Sequence, residues 1–206
     1  MYQESSNAVI KHLVNILRDT NTKPHEFRSY IEQIAKLLVC EAFNTHETFS
    51  KTITTWQGPL NTTFIDEKKL VFIPILRAGE PMLNGVFEIF KHAQSGFLAM
   101  KRDETTAKSH LFYEKLPDLK GKIVVLLDPM VATGGSLSDG IDVVKQHEPK
   151  EIITLNIIGS SHGVQRVNDL HSDIHMYIAQ IDEKLNENNY ICPGLGDAGD
   201  RAFNTL

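Results

Sequence analysis

Cysteine, tryptophan and long apolar runs are scarce in this chain, and each scarcity removes a class of protein. Two cysteines, Cys40 and Cys192, stand far apart in 206 residues. That is too few for a disulfide-stapled scaffold or a paired-cysteine zinc site. No apolar run approaches the ~20 residues that cross a bilayer, so no membrane partner is expected. Basic charge is not in surplus either: 21 Lys and Arg against 26 Asp and Glu leave a formal net charge of -5, with a pI near 6.0. Such a chain offers no broad field for tracking a nucleic-acid backbone, and no nucleic-acid partner is expected. None of the nine histidines falls in a His-Glu-x-x-His pattern, and His171 and His175 straddle an expected helix end and strand. A metal held by the protein's own ligands is therefore not expected. The opening Met1-Tyr2-Gln3-Glu4-Ser5-Ser6 lacks a charged and then apolar leader, and with free thiols this reads as a cytoplasmic protein.

What is present fits one domain over 1–206, since 41% hydrophobic and 23% charged residues can bury a substantial core at this length. Val9, Ile10, Leu13, Val14 and Leu17 share one helical face, and Phe27, Ile31, Ile34, Ala35 and Leu38 repeat the pattern after Pro24, giving two amphipathic helices. Residues 52–56 read as a short β segment with Gln57-Gly58-Pro59 as its turn. From Leu70 onward strands at 70–76, 96–100, 123–127, 152–158 and 174–179 alternate with helices around 82–90, 135–146 and 164–170. That alternation predicts the α/β class, a mostly parallel sheet flanked by helices. Residues 101–116 are charged and polar enough to lie outside the core, as a lid or a dimer-contacting arm.

The stretch from Ile123 to Ser136 carries the strongest chemical signal. Five apolar, largely β-branched residues suit a strand buried on both faces, so Asp128 sits at its carboxyl end. Ligands of open α/β sheets bind at that edge, and a carboxylate there can accept hydrogen bonds from sugar hydroxyls. Pro129, Met130, Val131, Ala132, Thr133, Gly134, Gly135 and Ser136 follow. The small residues let several N–H groups converge on one anion, and a helix beginning behind them adds its positive end. Thr-Gly-Gly-Ser alone would describe an ordinary turn; the preceding acid moves the reading to a phosphate-and-sugar site.

Three further strings matter. In Pro74-Ile75-Leu76-Arg77-Ala78-Gly79 a strand delivers Arg77 to the same edge as Asp128, where its fork suits either a diphosphate or a surface ion pair. Lys101-Arg102-Asp103-Glu104-Thr105 by itself is a solvated charged loop. Tyr190-Ile191-Cys192-Pro193-Gly194-Leu195-Gly196-Asp197-Ala198-Gly199-Asp200-Arg201 is a glycine-rich loop or a frayed end.

Together, 72–79, 126–136 and 190–201 resemble, in order and spacing, the type I phosphoribosyltransferases, which bind 5-phosphoribosyl diphosphate (PRPP). Asp128-Pro129 replaces the two consecutive acids of many purine-specific members, and the C-terminal string is nearly the base-binding signature of the uracil phosphoribosyltransferase family. The resemblance implies the type I phosphoribosyltransferase fold, with a small hood built from the N- and C-terminal segments and a protruding loop or arm. It implies a pentosyltransferase making UMP and diphosphate from uracil and PRPP in pyrimidine salvage. Arg77, Arg102 and Asp128 would be catalytic. PRPP would be held by these three with Pro129 to Ser136 and Asp197, and uracil by Ile191, Gly196, Asp197 and Ala198. Uracil presents an N3–H between two carbonyls, which backbone groups complement where glycine permits close approach. Mg²⁺ would arrive mainly with PRPP, a homo-oligomer is expected, and GTP, which activates some bacterial relatives, is a candidate effector. The alternative is a non-catalytic, UMP-sensing, RNA-binding regulator on the same fold.

This chain departs from the family pattern at a few positions. Lys101 and Asp103 replace a tyrosine and an asparagine beside Arg102. Glu80-Pro81 stands for Leu-Gly, placing an acid whose like charge is expected to weaken PRPP binding, while proline suits a helix start. Cys192 is expected to serve as a buried small hydrophobe, and Asn204 to replace a glycine in a left-handed turn.

Overall fold

Apolar stretches such as Ile123–Leu127 leave water only by burial on both faces, which places helices above and below a parallel sheet. The computed structural model describes residues 1–102 and 109–205, and the side chains of 1–100 and 111–205. The chain opens with β1 (Tyr2–Glu4), α1 (Ala8–Arg18), α2 (Pro24–Ala42), β2 (Phe49–Thr55) and β3 (Gly58–Phe64). Next come β4 (Leu70–Leu76), α3 (Glu80–Phe87), β5 (Gln94–Ser95), β6 (Phe97–Arg102), β7 (Ser109–Lys115), β8 (Ile123–Leu127) and β9 (Met130–Val131). It ends with α4 (Gly135–Lys145), β10 (Glu151–Ser160), α5 (Ser161–Leu170), β11 (His175–Asp182), β12 (Lys184–Leu185), β13 (Ile191–Cys192) and α6 (Ala198–Phe203).

Among the described residues the main sheet runs β1-β11-β10-β8-β4-β6-β7, with β5 beside β4 and β9 beside β10. It is parallel apart from the β6–β7 pair. Side chains alternate across it with the two-residue strand period. Leu70, Phe72, Val125 and Leu155 pack with Phe27, Ile31 and Leu38 of α2, whereas Val71, Ile73, Val124 and Leu126 pack with Leu137 and Ile141 of α4 and Val164 of α5. From β4 the chain moves outward to β6, and from β8 it moves the other way to β10 and β11. The carboxyl ends of β4 and β8 therefore flank the switch point at which such sheets open a crevice.

The end of α1 and the start of α2 meet the C-terminal helix above that edge. Arg201 of α6 donates to the carbonyls of Leu17, Leu195 and Asp19 and lies 4.3 Å from the Phe27 ring centroid, and Arg28 donates to Ala202 O at 2.5 Å. With the small antiparallel β12–β13 pair, these contacts build the expected hood. No helix among the described residues is long and apolar enough to cross a membrane.

Two expectations need correction. Gly58 and Pro59 do not form the turn after β2; they open β3, with Gly58 opposite Thr55 and Pro59 opposite Thr54. A two-stranded ribbon has free edges, where proline's missing N–H is tolerated, and polar Asn61, Thr62 and Thr63 concealed the strand. The segment 101–116 is also less detached than expected. β6 runs on to Arg102, β7 returns antiparallel to it with a bulge at Ala99/Met100, and Leu116 packs on the second core. Residues 103–108, part of that expected segment, lie outside the described residues.

Candidate active site

Strands β4 and β8 end side by side, Pro74 opposite Leu127, so the residues that follow, Arg77 and Asp128, reach one crevice. A cleft of about 310 Å³ there is lined by Ile75, Leu76, Arg77, Ala78, Met100, Asp128, Met130, Ser136, Asp197, Ala198 and Gly199. The fold thus gathers residues from all three separated strings. Beside it, Met130, Ala132, Thr133, Gly134, Gly135, Ser136 and Leu137 line a concavity of about 70 Å³ at the N-terminus of α4. Gly134 holds φ 76° as the cap of that helix, and a Cβ there would collide with the Gly163 carbonyl and with Val167. Glycine is required on both counts.

Asp128 is 9% exposed, and burial raises its carboxyl from 3.8 to about 7, opposed by a backbone hydrogen bond from Met130. That bond, Met130 N–H to Asp128 Oδ1, spans 3.3 Å. Strand β10 backs the whole segment. Asn156 Nδ2 donates to the Asp128 carbonyl at 2.7 Å, and the Pro129 carbonyl accepts from the N–H groups of Ile157 at 3.1 Å and Ile158 at 2.9 Å. Ser160 Oγ donates to the Ala132 carbonyl at 2.6 Å and accepts from Gly163 N at 2.9 Å. Val131 is 1% exposed, so Pro129 and Val131 anchor the loop from within while its neighbours line the cleft. Thr154, Asn156 and Ser160 were not singled out from the sequence. Polar residues breaking an apolar strand run are the signal that could have found them.

Arg77 is parked on the C-terminal segment. Its Nη2 lies 2.9 Å from Asp200 Oδ1, its Nη1 is 3.4 Å from Thr205 Oγ1, and the Phe203 ring centroid is 6.0 Å from the guanidinium carbon. Hydrogen bonds from Thr205 and then Arg77 hold the Asp200 carboxyl below its ordinary value. The side chain of Arg77 keeps 57% exposure, so it makes the surface ion pair and faces the cleft at once. The Leu76–Arg77 and Cys192–Pro193 peptides are cis. Asp197 caps α6, accepting from Asp200 N at 2.8 Å, and Ala198 N–H reaches Met130 Sδ at 3.3 Å, which joins the phosphate-type loop to the C-terminal loop.

Two other expected site residues, Ile191 and Gly196, are not among the residues that line that cleft. Ile191 is 5% exposed in the core and lines none of these concavities. Gly196 lines a neighbouring one of about 340 Å³ with Arg18, Thr20, Leu195, Asp197 and Arg201. Arg102 ends β6, and its side chain lies outside the described residues. Cys192 is only half-buried, not the buried hydrophobe expected, because its two-residue strand pairs on one side with the equally short β12. Glu80 does not line the cleft; its Oε1 accepts from Asn84 Nδ2 at 3.3 Å along its own helix. Asn204 takes the left-handed conformation, φ 56°, as expected.

A model of the uracil phosphoribosyltransferase family matches residues 4–205. The chain belongs to the uracil phosphoribosyltransferase family. Curated proteins of that name from Campylobacter curvus and Aquifex aeolicus are 43% and 38% identical to it, each alignment covering 98% of this chain and 97% and 98% of the relative. A solved structure of an Aquifex aeolicus protein superposes with a TM-score of 0.96 at 38% identity, covering 98% of both chains. The fold extends to a Pyrococcus horikoshii purine phosphoribosyltransferase, TM-score 0.52 at 19% identity over 75% of this chain and 85% of that one. The expected type I phosphoribosyltransferase fold is the one observed.

In this uracil phosphoribosyltransferase family member the C-terminal loop is fastened from below. Arg18 binds Asp182 through two hydrogen bonds of 2.8 and 2.7 Å and also donates to Gly194 O at 2.8 Å, and Gly194 N–H donates to Asp182 at 2.8 Å. Burial pulls the Asp182 carboxyl up, yet the bonds from Arg18 and Gly194 hold it below its ordinary value. Its side chain is 5% exposed, so Arg18→Ala would leave a buried charge without its partner. We expect a loss of about 3 kcal/mol, read as a lowered midpoint in urea unfolding.

Proposed function

We propose that the chain transfers ribose 5-phosphate from PRPP to N1 of uracil, giving UMP and diphosphate in pyrimidine salvage. The observation that carries this reading is the cleft at the sheet's switch point, lined by Arg77, Asp128, Ser136, Asp197 and Ala198. Asp128 orients the ribose hydroxyls, and Thr133 to Ser136 with the α4 N-terminus hold the 5-phosphate. As the bond from C1 to diphosphate breaks, positive charge grows on the ribose and negative charge on the leaving group. Arg77 and Arg102 meet that leaving charge. The C-terminal loop, through Ile191, Gly196, Asp197 and Ala198, presents N1 of uracil to C1 from the other side, so that the N1–C1 bond forms as the C1–O bond to diphosphate breaks and the N1 proton passes to water.

A divalent ion fits this site as a passenger of PRPP. Asp128 and Asp197 bring carboxylates to the cleft, and the remaining ligands are phosphate oxygens and water, the donors Mg²⁺ prefers. Bound with PRPP, it would offset charge on the departing diphosphate. We also read 1–206 as one domain, place the enzyme in the cytoplasm on the strength of its free Cys40 and Cys192, and carry GTP as a proposed effector. Trp56, 92% exposed on the β2–β3 ribbon, and Phe112, 80% exposed on β7, support a homo-oligomer. Size-exclusion chromatography with and without GTP tests both.

The deciding experiment incubates the purified protein with PRPP and Mg²⁺ and, separately, uracil, cytosine, adenine, guanine or hypoxanthine. UMP is expected from uracil, with no nucleotide from the other bases. Absence of UMP, combined with binding of UMP and RNA, would instead favour the non-catalytic regulator.

A further inference from the structure

Strand β10 lies between β8 and β11, where a parallel strand is ordinarily continuous apolar sequence. Residues 152–158 conform except at Thr154 and Asn156, both 0% exposed. Asparagine is depleted from strand interiors, and a buried amide is tolerated only when its hydrogen bonds are made. The bonds made here are specific. Asn156 Nδ2 donates to the main-chain carbonyl of Asp128 at 2.7 Å, and Asn156 Oδ1 accepts from Thr154 Oγ1 at 2.8 Å.

The ladder between β8 and β10 explains why that carbonyl needs a side chain. Leu155 pairs with Leu127, and its carbonyl accepts from Asp128 N at 3.2 Å. A regular parallel ladder would next direct the Ile157 N–H onto the Asp128 carbonyl. Instead the N–H groups of Ile157 and Ile158 both turn to the Pro129 carbonyl. The Asp128 carbonyl thereby loses its ladder partner, and the Asn156 amide replaces it. Both main-chain polar groups of Asp128 are then fixed to β10. The carboxylate, bonded to Met130 N–H two residues on, is aimed by the same short backbone. Thr154 selects the orientation of the amide, since its hydroxyl donates to Oδ1 and leaves the NH₂ end facing Asp128.

We propose that Asn156, oriented by Thr154, is a positioning residue for Asp128, aiming its carboxylate at the ribose hydroxyls of PRPP. The proposal rests on the reading of Asp128 as the ribose-binding acid. Displacing a reacting group by a fraction of an ångström costs rate and affinity far from the mutated atom, and only the substrate that group touches should feel it.

The test measures steady-state kinetics and urea unfolding on the full chain. Asn156→Leu, similar in shape but without an amide, is expected to raise KM for PRPP about tenfold, with KM for uracil unchanged. Thr154→Val should move KM for PRPP in the same direction by a smaller factor, and Thr154→Ser, which keeps the hydroxyl, should restore it. A purely structural pair would lower the unfolding midpoint and leave KM for PRPP where it was; that result overturns the proposal. Asp128→Asn, run in parallel, separates the two readings. If it leaves PRPP kinetics intact, the role of Asp128 itself is wrong; if it raises KM for PRPP while Asn156→Leu and Thr154→Val do not, the positioning role is wrong. Should Asn156→Leu not fold, the Thr154→Val and Thr154→Ser pair decides by the same criterion.

Discussion

Asp128→Asn should cut turnover by roughly 10²–10³-fold and at the same time make the protein more stable at pH 8. The second effect follows from burial, which raises the carboxyl from 3.8 to about 7. Between those two values the folded state binds more protons than the unfolded one, so stability falls as pH rises through that window and is lowest above it. Asparagine never carries the charge. It removes a cost on the order of 2–4 kcal/mol at pH 8 and little at pH 4, where the acid is already largely protonated when folded. Urea unfolding of both proteins across that pH range checks the crossover. The same ionisation governs binding, because a protonated acid has fewer sites to accept from sugar hydroxyls. For the native enzyme kcat/KM for PRPP should therefore decline as pH drops below about 7, with the decline absent from the Asp128→Asn variant. Unchanged turnover would remove the assigned role of Asp128.

The features legible in the sequence are those whose cause is local. An apolar run of 123–127 ending in an acid marks a buried strand and its carboxyl edge without any knowledge of neighbours, and Leu76-Arg77 repeats the device. Two such edges suffice to place Arg77 and Asp128 in one crevice once β4 and β8 are adjacent. The left-handed turn at Asn204 came instead from the family resemblance, through the glycine that asparagine replaces there, since such a position tolerates few residue types.

What stayed hidden depends on partners far along the chain. β1 is exposed and three residues long, and it becomes a strand only because the parallel edge of β11 accepts it. Asn156 and Ser160 hold the carbonyls of Asp128 and Ala132 across the sheet, so their own neighbours in sequence say only that an apolar run is broken. The side chain of Ile191 packs in the core, so the base contact its motif position implies falls to its main-chain groups, and a β-branched residue on a short strand supports the loop that Gly196, Asp197 and Ala198 extend. Nor does the sequence show where Glu80 directs its carboxylate: in the first turn of α3 it accepts from Asn84, four residues on.

Arg77→Ala should lower kcat by roughly 10²–10³-fold with almost no change in melting temperature, and the asymmetry identifies what the residue is for. Its bonds in the folded chain are an exposed pair with Asp200 and an exposed contact with Thr205, and exposed pairs contribute about 0–1 kcal/mol. Stability therefore has little to lose. Turnover has more, because a guanidinium facing the cleft holds the diphosphate of PRPP and meets the further charge that develops as it departs, and the part of that interaction gained in the transition state acts on kcat. Arg77→Lys should recover part of the rate, since a point charge replaces the fork but cannot span two phosphate oxygens in a plane. Asp200 adds a control on the same guanidinium. Asp200→Asn keeps the hydrogen-bond acceptor but removes the charge that competes with diphosphate for Arg77, so KM for PRPP should fall modestly while the Arg77→Ala loss persists in the double variant. If Arg77→Ala instead lowered the melting temperature and left kcat intact, the arginine would be a strut for the C-terminal segment, and the charge on the leaving group would have to be met from elsewhere.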